Sequence, residues 1–333
     1  MKELVWEKRH LIAKGDDAEQ MDVLSPIIRS VYGMPDTSND GKPTPAPSTG
    51  VLTESELMAD AFMLLFAGHE STATAIYFCL LYLALNPPIQ QDLQSSLDRL
   101  LSNRPLGEWS YDHDLPALLT GVAGAVMNEA LRLMPPFMYV PKIAPIGKGP
   151  QGLVIDGRKI VIPEGCHITI VLPAAHRNPN YWPTEEGVED DLDTFRPQRW
   201  FTANEATQNG SENPTELFRP PRGAFLPFSD GPRSCIGRRF SQVEIVTVLA
   251  SIFLTHSIEL SVSAFASDAA VDQMPLGGAG RKEVWQKAAA IAKERLPLGI
   301  ERTSMGTITR HDLRGIGLRA VRRGDERFGG GFK

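Results

Sequence analysis

Phe228-Ser229-Asp230-Gly231-Pro232-Arg233-Ser234-Cys235-Ile236-Gly237 is the stretch that decides the fold of this chain. It sets one cysteine, Cys235, in a loop of small, turn-forming residues. A helical run from Arg238 to Phe253 follows directly. A thiolate at that place meets the N-terminal end of a helix, where backbone N–H groups and the dipole stabilise negative charge. Gly231, Pro232 and Gly237 let the backbone come close to a flat partner. Arg233 adds a fixed positive charge two residues from the sulfur, suited to a carboxylate on that partner. An isolated cysteine is most often an inert packing residue. Here the five fixed positions of F-x-x-G-x-R-x-C-x-G, Phe228, Gly231, Arg233, Cys235 and Gly237, are all filled.

A planar, iron-bearing, carboxylate-carrying partner is haem, and thiolate-ligated haem is the oxygen-activating type. The loop resembles the haem-binding loop of the cytochrome P450 family, and four further segments resemble that family in the same order. Ala67-Gly68-His69-Glu70-Ser71-Thr72, midway along a long helical run, resembles its oxygen-binding motif A/G-G-x-D/E-T-T/S. A glycine inside a helix costs about 1 kcal/mol, and hydroxyls there bond back and bend it. That combination opens a groove for a small ligand and supplies a proton path. The usual threonine is replaced by Ser71, so the distal alcohol is Ser71 or Thr72. His69 is read as a packing or hydrogen-bonding residue.

Glu129-Ala130-Leu131-Arg132 puts an acid and a base on one helical face and resembles the family's E-x-x-R. Phe195-Arg196-Pro197-Gln198-Arg199-Trp200 resembles its later P-E-R-F/W segment, with Gln198 in place of the acid. The resemblance implies a buried structural triad of Glu129, Arg132 and Arg199. Pro141-Lys142 stands where the family carries a basic residue for a haem carboxylate, so Lys142 is expected there as a point charge. His176-Arg177-Asn178-Pro179 resembles the family's H-R-D-P turn and is expected to fix structure. By place, the substrate wall comprises Phe66, Ala67, Phe137, Met138, Tyr139, Val140, Met305 and Ile308, apolar with Tyr139 as a polar handle.

Composition agrees with a soluble protein: 42% hydrophobic and 22% charged residues among 333. A net charge of −6 argues against a nucleic-acid partner. Three widely spaced cysteines, with no C-x-x-C pair, exclude a disulfide framework or zinc site. Cys79 and Cys166 are expected to be packing residues. Met1 to His10 is charged and is neither a signal peptide nor a membrane anchor, although eukaryotic family members usually carry an anchor for the endoplasmic reticulum. The apolar run Leu57 to Leu85 contains Asp60, His69 and Glu70, which reads as a core helix.

Along the chain, residues 1–32 read as helical, and 33–50 as a flexible linker rich in Pro, Gly, Ser and Thr. Thr53-x-x-Glu56 is a capping box opening a helix that stops at Asn86-Pro87-Pro88. Pro88 to Leu101 and Leu115 to Leu133 are further helices. Val154 to Ile170 alternates around Gly157 and reads as a β-hairpin. The acidic run Glu185 to Asp193 reads as solvated surface, and Thr202 to Pro221 as a polar stretch. Arg238 to His256 is helical, Arg281 to Arg295 an added surface helix, and Thr307 to Arg322 the closing strands.

The fold class expected is mainly α with small β-sheets, the C-terminal, haem-binding portion of the P450 fold, as one partial domain over 1–333. The resemblance implies a fungal-type biosynthetic member. The family's N-terminal part, about 150–200 residues by usual domain size, has no counterpart before Met1. The function implied is a monooxygenase using haem b. It inserts one oxygen atom into a lipophilic small molecule, such as a terpenoid, polyketide or indole product of secondary metabolism. Electrons come from an NAD(P)H-dependent reductase. The alternatives are a catalytically incompetent fragment, or a member that rearranges or couples substrates without net oxygen insertion.

Overall fold

The computed structural model describes residues 1–15, 24–32, 52–102, 104–201, 217–301 and 316–328. The expected linker at 33–50, most of the polar stretch after Thr202, and the pocket residues Met305 and Ile308 lie outside the described residues. Two compact units, Met1–Glu70 and Ser71–Lys333, divide the chain inside one helix.

The first unit holds α1 (Lys2–Lys14), α2 (Leu24–Tyr32) and the start of α3 (Glu54–Leu85). Gly15 ends α1 in the left-handed conformation, φ 77°, which turns its N–H back onto the carbonyls of Ile12 and Leu11. Val5, Ile12, Ile28, Leu57 and Ala61 form the small core of this unit. The capping box at the start of α3 closes as its spacing predicts. The Thr53 N–H donates to Glu56 Oε2 at 2.7 Å, and the Glu56 N–H donates to Thr53 Oγ1 at 3.2 Å. The Thr53 N–H and the Thr53 hydroxyl, which donates to Glu56 Oε2 at 2.8 Å, hold the Glu56 carboxyl below its ordinary range.

In the second unit α3 runs on to Leu85. By length and composition it could cross a membrane, but Ala75, Phe78, Cys79, Leu81 and Leu83 of its last half are buried in the main core. Asn86 ends it, with its side-chain amide donating to the Tyr82 carbonyl at 2.8 Å, and Pro87 starts α4 (Pro87–Leu101). The expected helix over Leu115–Leu133 is two helices, α5 (Asp114–Thr120) and α6 (Val122–Leu133). Gly121 between them is extended, and a Cβ on Gly124 would lie 1.9 Å from the Leu119 carbonyl oxygen. Close approach of the two helices, possible only at glycine, breaks the run.

Two strand pairs follow. β1 (Tyr139–Ile143) pairs antiparallel with β4 (His167–Val171), in register Tyr139 to Val171. β2 (Gln151–Ile155) and β3 (Arg158–Ile162) form a hairpin. Asp156 and Gly157 turn it at φ 49° and 75°, the positive angles of a tight type I′ turn. The single hairpin expected from Val154 to Ile170 therefore spans two sheets. After a four-residue helix, α7 (Leu172–Ala175), the described residues before α8 (Arg238–Phe253) form turns and two short 3-10 segments, Asp191–Asp193 and Pro197–Phe201.

α8 stops short of His256, which begins β5 (His256–Leu260) instead of ending the helix. β5 pairs antiparallel with β6 (Leu318–Arg322), the described part of the closing strands. The β5 edge is satisfied by α4: the Gln90 side chain accepts from Ile258 N–H at 2.7 Å and donates to its carbonyl at 2.9 Å. A glutamine amide thus replaces a neighbouring strand. α9 (Asp268–Gln273) is capped by the Ser267 hydroxyl. α10 (Ala279–Glu301) is longer than the expected surface helix, and it buries Trp285, Ala289 and Ala292 in the main core. The architecture is mainly helical with small antiparallel sheets, as expected.

Candidate active site

Backbone hydrogen bonds shape the cysteine loop. Ser229 N–H donates to the Leu226 carbonyl at 2.9 Å, Ser234 N–H to Gly231 at 3.0 Å, and Cys235 N–H to Phe228 at 2.9 Å. Ser229 and Gly231 take positive φ, 60° and 80°, to make these turns. α8 then begins at Arg238 without a side-chain cap, so its first N–H groups lie close behind the sulfur in sequence. A Cβ at Gly237 would come within 3.9 Å of Cys235 Sγ, so the sulfur rests against bare backbone. Cys235 is exposed, whereas Cys79 is buried and Cys166 half-buried. Burial pushes the Cys79 thiol up to about 12, leaving it inert.

These features fit haem. Cys235 offers an accessible thiol with no disulfide partner. Apolar surface adjoins it in sequence, with Ile236 92% and Phe240 62% exposed. Arg233 and Lys142 are exposed cations on the loop and on β1. Phe228 is half-buried and carries the Arg238 guanidinium 5.8 Å above its ring.

Of the distal residues, Phe66, Ala67 and Glu70 are exposed on the part of α3 that belongs to the first unit. Ser71 is half-buried and Thr72 buried at the start of the second. The Thr72 hydroxyl donates to Ser241 Oγ at 3.2 Å, tying α3 to the first turn of α8, six residues past the cysteine. Phe137 and Tyr139 are exposed and Val140 half-buried. Met138 is fully buried in the main core.

Glu129, Arg132 and Arg199 come together with no solvent exposure. Glu129 Oε1 accepts from Arg132 Nη2 and Arg199 Nε, each at 2.9 Å, and from Arg196 N–H at 3.0 Å. Its Oε2 accepts from Arg132 Nε at 2.8 Å and Trp200 Nε1 at 3.0 Å. Burial alone would raise the Glu129 carboxyl; the two guanidiniums outweigh it and hold the group below its ordinary range.

The sequence did not reveal the fourth charge. Asp191, inside the run expected to be solvated surface, is buried and accepts from Arg199 Nη1 at 3.0 Å and Arg196 Nε at 2.9 Å. One acid between two buried arginines leaves an uncompensated positive charge, and Asp191 neutralises it. That imbalance was the available signal. His176 is also buried, between the Arg132 carbonyl and the Leu226 N–H.

A family model for cytochrome P450 matches residues 1–265. Similar proteins include cytochrome P450 monooxygenase 124 of Postia placenta, 33% identical over 63% of this chain and 35% of its own length. Cytochrome P450 3A31 of Mesocricetus auratus is 30% identical over 62% and 35%. A cytochrome P450 monooxygenase of Arthrobotrys oligospora is 25% identical over 78% and 44%. The chain thus spans between about a third and somewhat under half of the length of these relatives. With the family model covering well over half of its residues, the chain belongs to the cytochrome P450 family.

Proposed function

We propose that this chain carries the haem-thiolate site of a monooxygenase. One atom of dioxygen enters a lipophilic small molecule and the other leaves as water, with two protons and two electrons consumed. The observation that carries this reading is Cys235: an exposed thiol in a loop with every fixed position filled, immediately before α8. Haem b bound through that thiolate supplies reductive activation of dioxygen. Gly231 and Gly237 would let the loop approach the macrocycle closely, Phe228 would contribute an apolar contact to it, and Arg233 and Lys142 would supply positive charge for its carboxylates. Ser71 holds a proton at its hydroxyl, with Glu70 passing protons from solvent. Thr72, whose hydroxyl is committed to Ser241, holds the helix. Phe137, Tyr139 and Val140 offer an apolar wall on the second unit, and Phe66 and Ala67 are apolar residues of the first; Met305 and Ile308 lie outside the described residues.

Electrons come from NAD(P)H through a reductase. Two fungal monooxygenases among the relatives support a place in fungal secondary metabolism. The test is turnover of terpenoid, polyketide and indole compounds under isotopically labelled dioxygen, with haem, a reductase and NADPH supplied. A product carrying one labelled oxygen atom is expected. A rearranged or coupled product without label would replace this reading with the non-inserting alternative, and failure to hold haem would reduce the chain to an incompetent fragment.

A further inference from the structure

His176 takes part in no step above, yet it joins the buried charge cluster to the cysteine loop. Its ring is fully buried. Nδ1 lies 3.1 Å from the Arg132 carbonyl oxygen, and Nε2 lies 2.8 Å from the Leu226 backbone nitrogen. A carbonyl only accepts and a peptide N–H only donates, so Nδ1 carries the proton and Nε2 offers its lone pair. The tautomer is set by its partners. Arg132 returns the contact, with Nη1 donating to the His176 carbonyl at 3.1 Å. The Phe225 ring lies 5.3 Å from the imidazole and 5.1 Å from Trp200, which itself donates to Glu129.

The bond at Leu226 is the first link of the loop that ends at the sulfur. The Leu226 carbonyl receives Ser229 N–H, and the Phe228 carbonyl receives Cys235 N–H. Two turns therefore separate His176 from Cys235, each closed at 2.9 Å. Every other bond that shapes this path is local. Among the described residues, His176 refers it to α6, through Arg132, which lies 44 residues before the histidine. We propose that His176 is a positioning residue for Cys235, transferring the rigidity of the Glu129–Arg132 pair to the loop so that the thiolate is held ready before haem arrives. This rests on the haem-thiolate reading for its purpose, but not for its geometry.

The test uses His176→Phe, which keeps a buried ring and loses both bonds, and His176→Gln, which keeps an acceptor for Leu226. In the haem-free chain, amide exchange at Leu226 and Cys235 is followed against Leu249 in the core of α8. Loss of a buried hydrogen bond predicts about a ten- to hundred-fold rise at Leu226 and Cys235 relative to Leu249 for His176→Phe, and a smaller rise for His176→Gln. In the haem-loaded chain, both variants should lose haem faster to an excess of a haem-free globin, in the same order. Their reduced carbon monoxide complexes should shift from the thiolate-type towards the neutral-thiol-type band. Equal rises at Cys235 and Leu249 would mean a merely structural histidine and overturn the proposal. So would haem loss at the unmodified rate from both variants. Failure of the unmodified chain to bind haem would instead sink the parent reading, with the exchange comparison still deciding whether His176 holds the loop.

Discussion

Replacing Asp191 by alanine removes a carboxylate with almost no exposure, 3% for its side chain, from beside a guanidinium with none. Its two oxygens accept from Arg199 Nη1 at 3.0 Å and from Arg196 Nε and Nη2, each at 2.9 Å. Burial would raise its pKa, but these bonds and charges hold it low, so it is ionised in the native state. After the substitution Arg132 and Arg199 share Glu129 as their one buried acid among the described residues. Stranding a buried charge in this way costs about 3–5 kcal/mol. Domains are stable by only about 5–15 kcal/mol, so about a fifth or more of the total is at stake, on the order of 10 °C in Tm. Asp191→Asn keeps an acceptor and should cost roughly half as much. Asp193→Ala is the control: that carboxylate is 64% exposed in its pair with Arg177, and such pairs contribute under about 1 kcal/mol. Urea unfolding of the three variants measures the differences. A double-mutant cycle with Arg199→Met should give a coupling of about 1–3 kcal/mol. If Asp191→Ala unfolds within about 1 kcal/mol of the unmodified chain, the acidic run is solvated surface after all and the charge balance drawn here is wrong.

The other expectations concern acid and the distal alcohols. Burial first, and then the charges of Arg132 and Arg177, pull His176 from its ordinary 6.5 down to about 3. The unfolded chain takes up a proton near pH 6.5 where the native chain does not, so stability is full above that pH and falls towards pH 3. The slope is about 1.4 kcal/mol per pH unit. Glu129 and Asp191 add to the loss only below their ordinary 4.5 and 3.8, so urea unfolding at pH 7, 6 and 5 isolates the histidine. His176→Phe should flatten that slope, and an unchanged slope would refute its assignment to His176. Ser71→Ala should raise the peroxide-to-product ratio several-fold, while Thr72→Ala should leave the ratio and cost about 1 kcal/mol of stability through the lost Ser241 bond. The reverse ranking in a peroxide assay would assign the distal alcohol to Thr72.

What could be read from the sequence was what the chain encodes locally. Thr53 and Glu56 cap α3 across three residues, Asp156-Gly157 turns a hairpin within two, and the cysteine loop closes within ten. The features missed depend on distant partners. Asp191 sits among five other acids between Glu185 and Asp193, and nothing nearby distinguishes it; only Arg199 and Arg196 do. Gly121 and Gly124 looked compatible with one helix until the Ala117 carbonyl came against the first and the Leu119 backbone against the second. β5 continued an apolar run from α8, and the Gln90 amide that satisfies its edge lies 168 residues earlier. α10 appeared to be surface because its charges conceal the face formed by Trp285, Ala289 and Ala292. His176 was expected to fix structure, but its two partners, 44 and 50 residues away, could not be named.

The central claim is that Cys235 alone ligates iron, and one spectrum tests it most directly. The haem-supplied chain is reduced, exposed to carbon monoxide, and compared with Cys235→Ser, Cys79→Ser and Cys166→Ser. The unmodified chain, Cys79→Ser and Cys166→Ser should all show the red-shifted band of thiolate-ligated haem, and Cys235→Ser should lack it. The same band in Cys235→Ser would contradict the account.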